Sequence, residues 1–527
     1  MLAALVTPRK ARRMRLLSIL LLGLLLPVTA AEAAWREAST PHFVIYSEES
    51  AESLKAFATR LETFDKAMRT MRGMADPPLG PTNRLTIYVV PSLGSVQRVA
   101  GKGSANVAGF YVPRASGSIA IVPRSTGMNG KFDLDAQTVL LHEYTHHFMM
   151  TNSASAAYPA WFVEGFAEFN ATTRFEKDGT IGFGLPATHR AYGLLLLTIP
   201  AEKLFTGDTN SRDGKTTEAF YSRAWLMTHF LTFEPSRAGQ LSAYLKAINA
   251  GRDSLAAARD TFGDFKKLDA ELDKYKLRRR LAYRRVAPDP AGVGAITMRA
   301  LSAAEDALME LRIQSDRGVD RTQARTLVTR IRKAAAPFAN DASAQAILAE
   351  AEYDAGNYAL AEAAADRALA ANPRHLDALL YKGRALMGKA TEAKSDDAKA
   401  WREIRGWFIK ANQIDAEHAE PLYLFYDSFR EQGIRPNANA VAGLIKAHDL
   451  APQDRGLRMR VARQFLVDAK VEDARYALAP IAYDPHAGPI GKVAAALLAV
   501  LKDGNAKAAL QVWDAAGEKT GGAADAE

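Results

Sequence analysis

The chain contains no cysteine among its 527 residues. This absence excludes disulfide bonds, catalysis by a thiol, metal sites built from thiolates and a lipid-modified cysteine at a processing site. Any metal ion would therefore be held by imidazole and carboxylate groups. Histidine is also scarce, with ten residues, so a close pair of histidines is an informative feature of this sequence.

Long apolar runs are almost absent, and the one that stands out lies near the N-terminus. Residues 16–28 are apolar, follow a stretch with five basic residues and precede Ala31-Glu32-Ala33, which fits an A-x-A cleavage site. As a helix, such a run covers about 20 Å, less than the roughly 30 Å of a bilayer core. We interpret residues 1–33 as a cleaved signal peptide, with an uncleaved membrane anchor as the alternative.

The signal peptide predicts an exported protein, without stable membrane insertion after cleavage. An exported chain without disulfides suits a bacterial periplasm or a bacterial secreted protein. The net charge of +9 falls to +5 when five basic residues and one acidic residue leave with the signal peptide. This modest charge indicates no nucleic-acid partner.

Residues 34–275 have the mixed pattern of an α+β domain. Strands are predicted at residues 42–46, 84–90, 107–113 and 118–122, and a long amphipathic helix at residues 49–71. Residues 114–117, Arg-Ala-Ser-Gly, are a plausible hairpin turn between the last two strands. Helices are expected to follow this small sheet almost continuously.

Residues 342–520 have alanine-rich patterns that predict an all-α, tetratricopeptide-like solenoid. One stretch matches the 34-residue helix-turn-helix unit at Ala349, Gly356, Tyr358, Ala361, Ala368 and Pro373. Gly383 lies 34 residues after Ala349 and continues the register. Looser matches downstream indicate four or five units, and an irregular helical domain is the alternative.

Residues 276–341 are predicted to be a helical connector. They contain Pro288, Pro290 and Gly292, which favour a linker, and then two helix-like segments that would cap the solenoid. We expect the α+β domain and the solenoid to fold as independent modules, because a repeat array mainly contacts its own neighbours.

Residues 142–146, His-Glu-Tyr-Thr-His, form an H-E-x-x-H motif. Asp135 is a suitable N-cap for the helix that carries it. On that helix His142 and His146 share one face and can bind the same ion, while Glu143 lies near a metal-bound water without being a ligand. The alternative is a pair of histidines and a glutamate that pack near the core.

A catalytic zinc site needs a third protein ligand and an open position for water. After His146 come 17 residues and then Glu164, and Pro159 suits the first turn of the helix that carries it. A loop near residues 152–157 would let this helix turn back against the first. Glu164 and Glu168 are four residues apart and share one face of that helix, so both carboxylates are candidates near the two histidines.

These two helices resemble those of the gluzincin peptidases, the group that includes thermolysin-like and aminopeptidase-like enzymes. In that group the third ligand is often the glutamate of a W-x-x-E-G-x-A motif, which Trp161, Glu164, Gly165 and Ala167 match. The spacing is one residue shorter than in the aminopeptidase type. The resemblance covers roughly residues 36–275. It implies a zincin-like domain and a zinc metallopeptidase whose Zn2+ is held by His142, His146 and Glu164.

The resemblance also implies roles for residues outside the ligand set. Glu168 would hydrogen-bond a ligand histidine, and an exposed helix carboxylate is the alternative. Tyr221, with His229 as the second candidate, would stabilise the oxyanion, and a core tyrosine is the alternative.

Residues 117–122 lack the acidic residue with which the aminopeptidases bind a substrate amine. This favours an endopeptidase, and the strand there is suited to pair with an extended substrate.

The predicted activity is hydrolysis of peptide bonds in a peptide or protein substrate, with Glu143 as the general base. The repeats offer a site for a protein partner. One alternative is a catalytically inactive scaffold of an envelope complex. A second alternative is a zinc hydrolase that acts on amides other than peptides.

Overall fold

The computed structural model describes residues 35–520 except 106, 128–129, 131–132, 154 and 207–213. The predicted signal peptide, residues 1–33, lies outside the described residues. Within the described ranges, no helix has both the length and the apolar character that a membrane span requires.

The N-terminal half contains two sheets. Its strands are β1 (Arg36–Ser39), β2 (Phe43–Ser47), β3 (Leu85–Val90), β4 (Phe110–Val112), β5 (Ile119–Pro123), β6 (Arg174–Phe175), β7 (Ile181–Phe183), β8 (Arg284–Val286) and β9 (Thr297–Ala300). The larger sheet has the order β4-β5-β3-β2-β1-β9. Strand β3 pairs in parallel with β2 and with β5. Strand β4 pairs antiparallel with β5, and β1 pairs antiparallel with both β2 and β9. Strands β6, β7 and β8 form a small antiparallel sheet.

The four predicted strands are present as β2 to β5, and β4 and β5 form the predicted hairpin. The helices of this half are α1 (Ala51–Arg72), α2 (Leu93–Ala100), α3 (Ala136–Asn152), α4 (Ala160–Ala171), α5 (Ala191–Leu196), α6 (Ala201–Thr206), α7 (Gly214–Phe233), α8 (Gln240–Asn249), α9 (Ser254–Phe262) and α10 (Phe265–Lys276). The N-terminal half is therefore an α+β domain.

Local chemistry sets the ends of the two helices that carry the predicted ligands. The carboxylate of Asp135 accepts a hydrogen bond from the backbone N–H of Thr138 at 2.7 Å, so Asp135 is the N-cap of α3. Pro159 directly precedes α4 with φ −66°. A Cβ atom on Gly165 would overlap the carbonyl oxygen of Ala224, so glycine is needed where α4 approaches α7.

The C-terminal half consists of helices that pack in sequential order. They are α11 (Ala303–Asp316), α12 (Arg321–Ala335), α13 (Ala342–Asp354), α14 (Tyr358–Ala371), α15 (Leu376–Glu392), α16 (Ala398–Ile414), α17 (Ala419–Glu431), α18 (Ala438–Leu450), α19 (Arg455–Val467), α20 (Val471–Tyr483), α21 (Gly488–Val500) and α22 (Ala506–Thr520). Each contacts the next along the chain. This half is a tetratricopeptide-like solenoid with five helix pairs from α13 to α22.

The small residues of the predicted repeat lie where the helices approach each other. Ala349, Ala361 and Ala368 are fully buried, and Gly356 turns the chain between α13 and α14 with φ +81°. Leu308 and other apolar residues of α11 and α12 share a core with α13. The last two helices before residue 341 therefore cap the solenoid, as predicted.

The predicted connector, residues 276–341, is not purely helical. Strand β8 pairs with β7, and β9 pairs with β1. The N-terminal domain therefore extends beyond the predicted boundary at residue 275, because backbone hydrogen bonds recruit this segment into both sheets. Strands of three and four residues are too short to show a periodic pattern in the sequence.

The solenoid packs against the N-terminal domain along much of its length, so the repeats do not contact only their own neighbours. Independent folding of the two halves stays a prediction. Direct polar contacts join Tyr88 to Asp316, Thr82 to Asp415, Ala115 to Asp454 and Glu164 to His486. Near the C-terminal end of the solenoid, Ala479 and Tyr483 of α20 pack against the core of the N-terminal domain. The two halves therefore form one body with a shared interface.

Candidate metal centre

Helices α3 and α4 bring the three predicted ligands together. Nε2 of His142 lies 3.1 Å from Nε2 of His146. Oε2 of Glu164 lies 3.5 Å and 3.7 Å from these two nitrogens, and it is buried with no hydrogen-bond partner among the described residues. Two imidazole nitrogens and one carboxylate oxygen therefore converge on one point.

This convergence fits a zinc ion. Ligand atoms about 2.0–2.1 Å from a tetrahedral zinc lie about 3.3–3.4 Å from one another. The three observed separations, 3.1, 3.5 and 3.7 Å, are close to that value. A set of two nitrogens and one oxygen is also a donor set that zinc accepts, and it leaves a fourth position for water.

The charges in the centre favour a cation. Burial by itself would lower the pKa of His142, but hydrogen bonds to Glu164 and Glu168 outweigh it and raise that pKa to about 10. Burial lowers the pKa of His146 to about 3. Burial would raise the pKa of Glu164, but His146 and His486 hold it well below its usual range. A bound metal ion would replace the proton that this anionic centre attracts.

Glu168 is buried and uses both of its carboxylate oxygens. Oε1 lies 3.2 Å from Nδ1 of His142 and accepts a hydrogen bond from Nη2 of Arg190 at 2.6 Å. Oε2 lies 2.9 Å from Nε2 of His189 and accepts from Nε of Arg190 at 3.1 Å. The contact with His142 orients the imidazole with Nε2 toward the other two ligands.

Glu143 lies beside the three converging ligands and is not one of them. Its carboxylate accepts a hydrogen bond from the backbone N–H of Tyr111 in β4. Burial raises the pKa of Glu143 against the attraction of His142 and His486. A carboxylate with a raised pKa is a stronger acceptor for a proton from water.

Strand β4 is the edge strand next to Glu143. Strand β5, which covers most of residues 117–122, is paired on one side with β3 and on the other with β4. The expectation that residues 117–122 pair with an extended substrate is therefore wrong, because both edges of that strand are already hydrogen-bonded. Strand β4 ends the sheet, so its outer edge is the one suited to a substrate backbone.

Tyr221 on α7 lies at the centre. Its ring centroid is 6.1 Å from that of His142, with the ring planes 22° apart. The guanidinium carbon of Arg190 lies 5.1 Å from the same tyrosine ring. Burial and the nearby carboxylates of Glu164 and Glu168 raise the pKa of Tyr221 well above 10, so its hydroxyl keeps its proton.

The second oxyanion candidate, His229, is a core residue. It is fully buried, and its Nδ1 lies 2.9 Å from the hydroxyl of Tyr275. Its Nε2 lies 2.9 Å from the carbonyl oxygen of Gly184 and 3.1 Å from that of Ala282. Both ring nitrogens are therefore engaged by groups of the core.

A second cluster of possible metal ligands in the described residues anchors α3. Nδ1 of His42 lies 2.8 Å from Oε2 of Glu62. Asp65 accepts a hydrogen bond from Nε of Arg69 at 2.7 Å and another from the hydroxyl of Tyr144. These opposite charges compensate one another. Because Tyr144 belongs to α3, the cluster fixes the ligand-bearing helix against α1.

Three residues at the centre were missed by the sequence interpretation. His189 and Arg190 lie in a short 3-10 turn, Thr188–Arg190, directly before α5. His486 lies in the loop between α20 and α21. None of them has a fixed spacing from the H-E-x-x-H motif, and neither segment shows a periodic pattern, so the sequence carries no signal for their placement.

Comparison with known proteins returns tetratricopeptide proteins at low similarity. No protein-family profile matches the chain, and no curated protein sequence matches it. TTC0263, a thermophilic tetratricopeptide protein of Thermus thermophilus, is 16% identical over 37% of this chain and 98% of its own, with a TM-score of 0.32. YrrB, a tetratricopeptide protein with an unusual peptide-binding site, is 21% identical over 36% of this chain and 91% of its own, with a TM-score of 0.25.

Proposed function

We propose that this chain is an exported zinc-dependent peptidase whose metal is held by His142, His146 and Glu164. The observation that carries the proposal is the convergence of these three ligand atoms beside Glu143. The resemblance of α3 and α4 to the gluzincin helices supports a zincin-like catalytic domain. The predicted signal peptide supports a periplasmic or secreted location in a bacterium.

Bound zinc would supply Lewis acidity, which activates water and polarises a carbonyl group. Glu143 accepts the proton from the attacking water and later delivers it to the leaving amine. Tyr221, protonated at neutral pH, donates a hydrogen bond to the oxyanion. Glu168 keeps His142 in the ligating orientation.

The substrate proposed for this site is a peptide in extended conformation, aligned along the outer edge of β4. Its N–H groups would pair with backbone carbonyl oxygens on the outer edge of Phe110–Val112, next to Glu143, since the backbone N–H of Tyr111 already donates to Glu143. The absence of an acidic residue from residues 117–122 favours an endopeptidase. The solenoid adds surface on which a protein substrate or partner can bind.

The experiment is a comparison of the mature wild-type chain with Glu143→Gln. The variant should keep about one zinc per chain and lose at least roughly 10²-fold in turnover of an unfolded protein substrate, because it loses a proton acceptor and no ligand. Glu403→Gln is the matched control, since Glu403 is exposed on the solenoid helix α16. Loss of zinc from Glu143→Gln would make Glu143 a ligand, and unchanged turnover would refute its role as the base.

A catalytically inactive scaffold is the second candidate, because the observed solenoid is an architecture that commonly binds other proteins. A zinc-loaded wild-type chain that cleaves no peptide or protein substrate would favour it. Turnover of small amides or esters without turnover of peptides would instead favour a non-peptidase zinc hydrolase.

A further inference from the structure

We propose that the solenoid completes the metal centre through His486, a positioning residue that holds Glu164 in its ligating orientation. This inference rests on the proposed function, since it concerns the same metal. It adds that a residue of the repeat region determines how firmly the catalytic domain holds zinc.

The contact between the two halves is direct. Nε2 of His486 lies 2.7 Å from Oε1 of Glu164, across 322 positions of sequence. The other carboxylate oxygen, Oε2, points toward the two ligand histidines. One oxygen of Glu164 is therefore held by the solenoid while the other is free to bind the metal.

His486 acts through Glu164 and is not itself a ligand. Its Nε2 is occupied by Oε1 of Glu164, and it does not belong to the converging ligand group in the described residues. Its ring lies edge-on to that of His146, with the centroids 5.5 Å apart. Hydrogen bonds of this kind fix the orientation of a metal ligand and reduce its freedom before the metal binds.

The loop that presents His486 is held in place by the residues that precede this histidine. The backbone N–H of His486 donates to Oδ1 of Asp484 at 2.8 Å, and Nε of Arg455 donates to Oδ2 of the same carboxylate at 2.5 Å. The preceding Tyr483 packs against the core of the N-terminal domain. The imidazole is therefore delivered by an ordered loop of the solenoid that is docked on the catalytic domain.

The solenoid also forms part of the wall next to the metal ligands. A cavity beside His146 is lined by Met149 and Val163 of the N-terminal domain and by Ile481 and Asp484 of the solenoid. A substrate side chain that enters this cavity would contact both halves. The solenoid thus contacts the proposed ligand Glu164 and also lines the cavity beside His146.

The test measures zinc affinity of the full mature chain by competition with a chromophoric chelator. His486→Ala is expected to weaken zinc binding by about 10–100-fold, the usual effect of losing a partner of a ligand. His486→Gln is expected to stay close to wild type, because its amide N–H reaches the position of Nε2. His486→Asn is expected to behave like His486→Ala, because its amide is one carbon shorter.

His375→Ala is the control for loss of a histidine from the solenoid. His375 is the N-cap of α15, where its side chain accepts a hydrogen bond from the backbone N–H of Ala378. The control variant therefore also accounts for the modest loss of folding free energy that removal of a solenoid histidine causes. Equal zinc affinity in His486→Ala and wild type would overturn the inference and leave the proposed function intact. Equal weakening in His486→Gln and His486→Ala would overturn it as well. Absence of zinc binding in the wild type would overturn the proposed function itself.

Discussion

Oε1 of Glu168 lies 3.2 Å from Nδ1 of His142, and this contact leaves Nε2 of the ring facing His146 and Glu164. The same oxygen accepts a hydrogen bond from Nη2 of Arg190 at 2.6 Å. Glu168 is therefore fixed before it orients His142. The orientation of His142 on α3 thus depends on a buried charge network that joins α4, the 3-10 turn before α5 and α7.

The first prediction concerns the ligands themselves. His146→Ala and Glu164→Ala should each lose the bound zinc, because two remaining protein ligands do not form a stable site. Metal analysis of the purified proteins by mass spectrometry measures this directly. Full stoichiometric zinc in both variants would contradict the ligand assignment.

The second prediction concerns Glu168. Glu168→Gln should weaken zinc binding by about 10–100-fold, since the amide is a poorer partner for the N–H of His142. Glu218→Gln is the matched control, because Glu218 accepts a hydrogen bond from Nη1 of Arg190 at 2.6 Å and thus belongs to the same charge network through Arg190. Chelator competition distinguishes the two, and equal affinities in both variants would show that Glu168 has no role in holding the ligand.

The third prediction concerns Tyr221. Tyr221→Phe should reduce kcat by about 10²–10³-fold if its hydroxyl is the donor to the oxyanion. KM and zinc content should change little, because the ring and its packing against His142 are kept. Steady-state kinetics on the zinc-loaded variant supply the measurement. An unchanged kcat would leave Tyr221 as a packing residue.

The fourth prediction concerns the close approach of α4 and α7. Gly165→Ala should destabilise the protein by about 1–3 kcal/mol, because the added methyl group meets the backbone of Ala224 and the hydroxyl of Thr228. Gly406→Ala is the control, since a Cβ atom there meets no other atom within 4 Å. Denaturant unfolding of both variants measures the difference, and equal midpoints would refute the proposed overlap.

The fifth prediction concerns acid stability and His229. Burial lowers the pKa of His229 from 6.5 to about 4 in the folded protein. The neutral imidazole therefore stabilises the fold fully above pH 6.5, and this contribution is lost as the pH falls from 6.5 through 4. His229→Gln should lose less unfolding free energy than wild type over that interval. The same dependence of unfolding free energy on pH in both proteins would contradict the lowered pKa of His229.

The ligand helices could be predicted from the sequence because their geometry is local. The positions of His142 and His146 follow from the four-residue spacing on a helix, and Asp135 marks the start of that helix. The repeat at Ala349 was equally readable, since close packing of neighbouring helices requires small residues at fixed intervals. In each case the signal and the structure it specifies lie within a few turns of the chain.

Contacts between distant segments had no such signal. The recruitment of β9 into the main sheet and of Arg190 to Glu168 depends on which surfaces meet when the chain is folded. The expectation that residues 117–122 form an edge failed for the same reason, because strand order is a property of the whole sheet.

The types of donor atom, the two helices that carry His142, His146 and Glu164, and the presence of repeats could all be predicted from the sequence, because they follow from residue chemistry and helical periodicity. Docking of the solenoid on the N-terminal domain, which places His486 against Glu164, is a result of tertiary packing. That placement comes from non-covalent contacts across 322 positions, and no local propensity encodes a pairing at that distance.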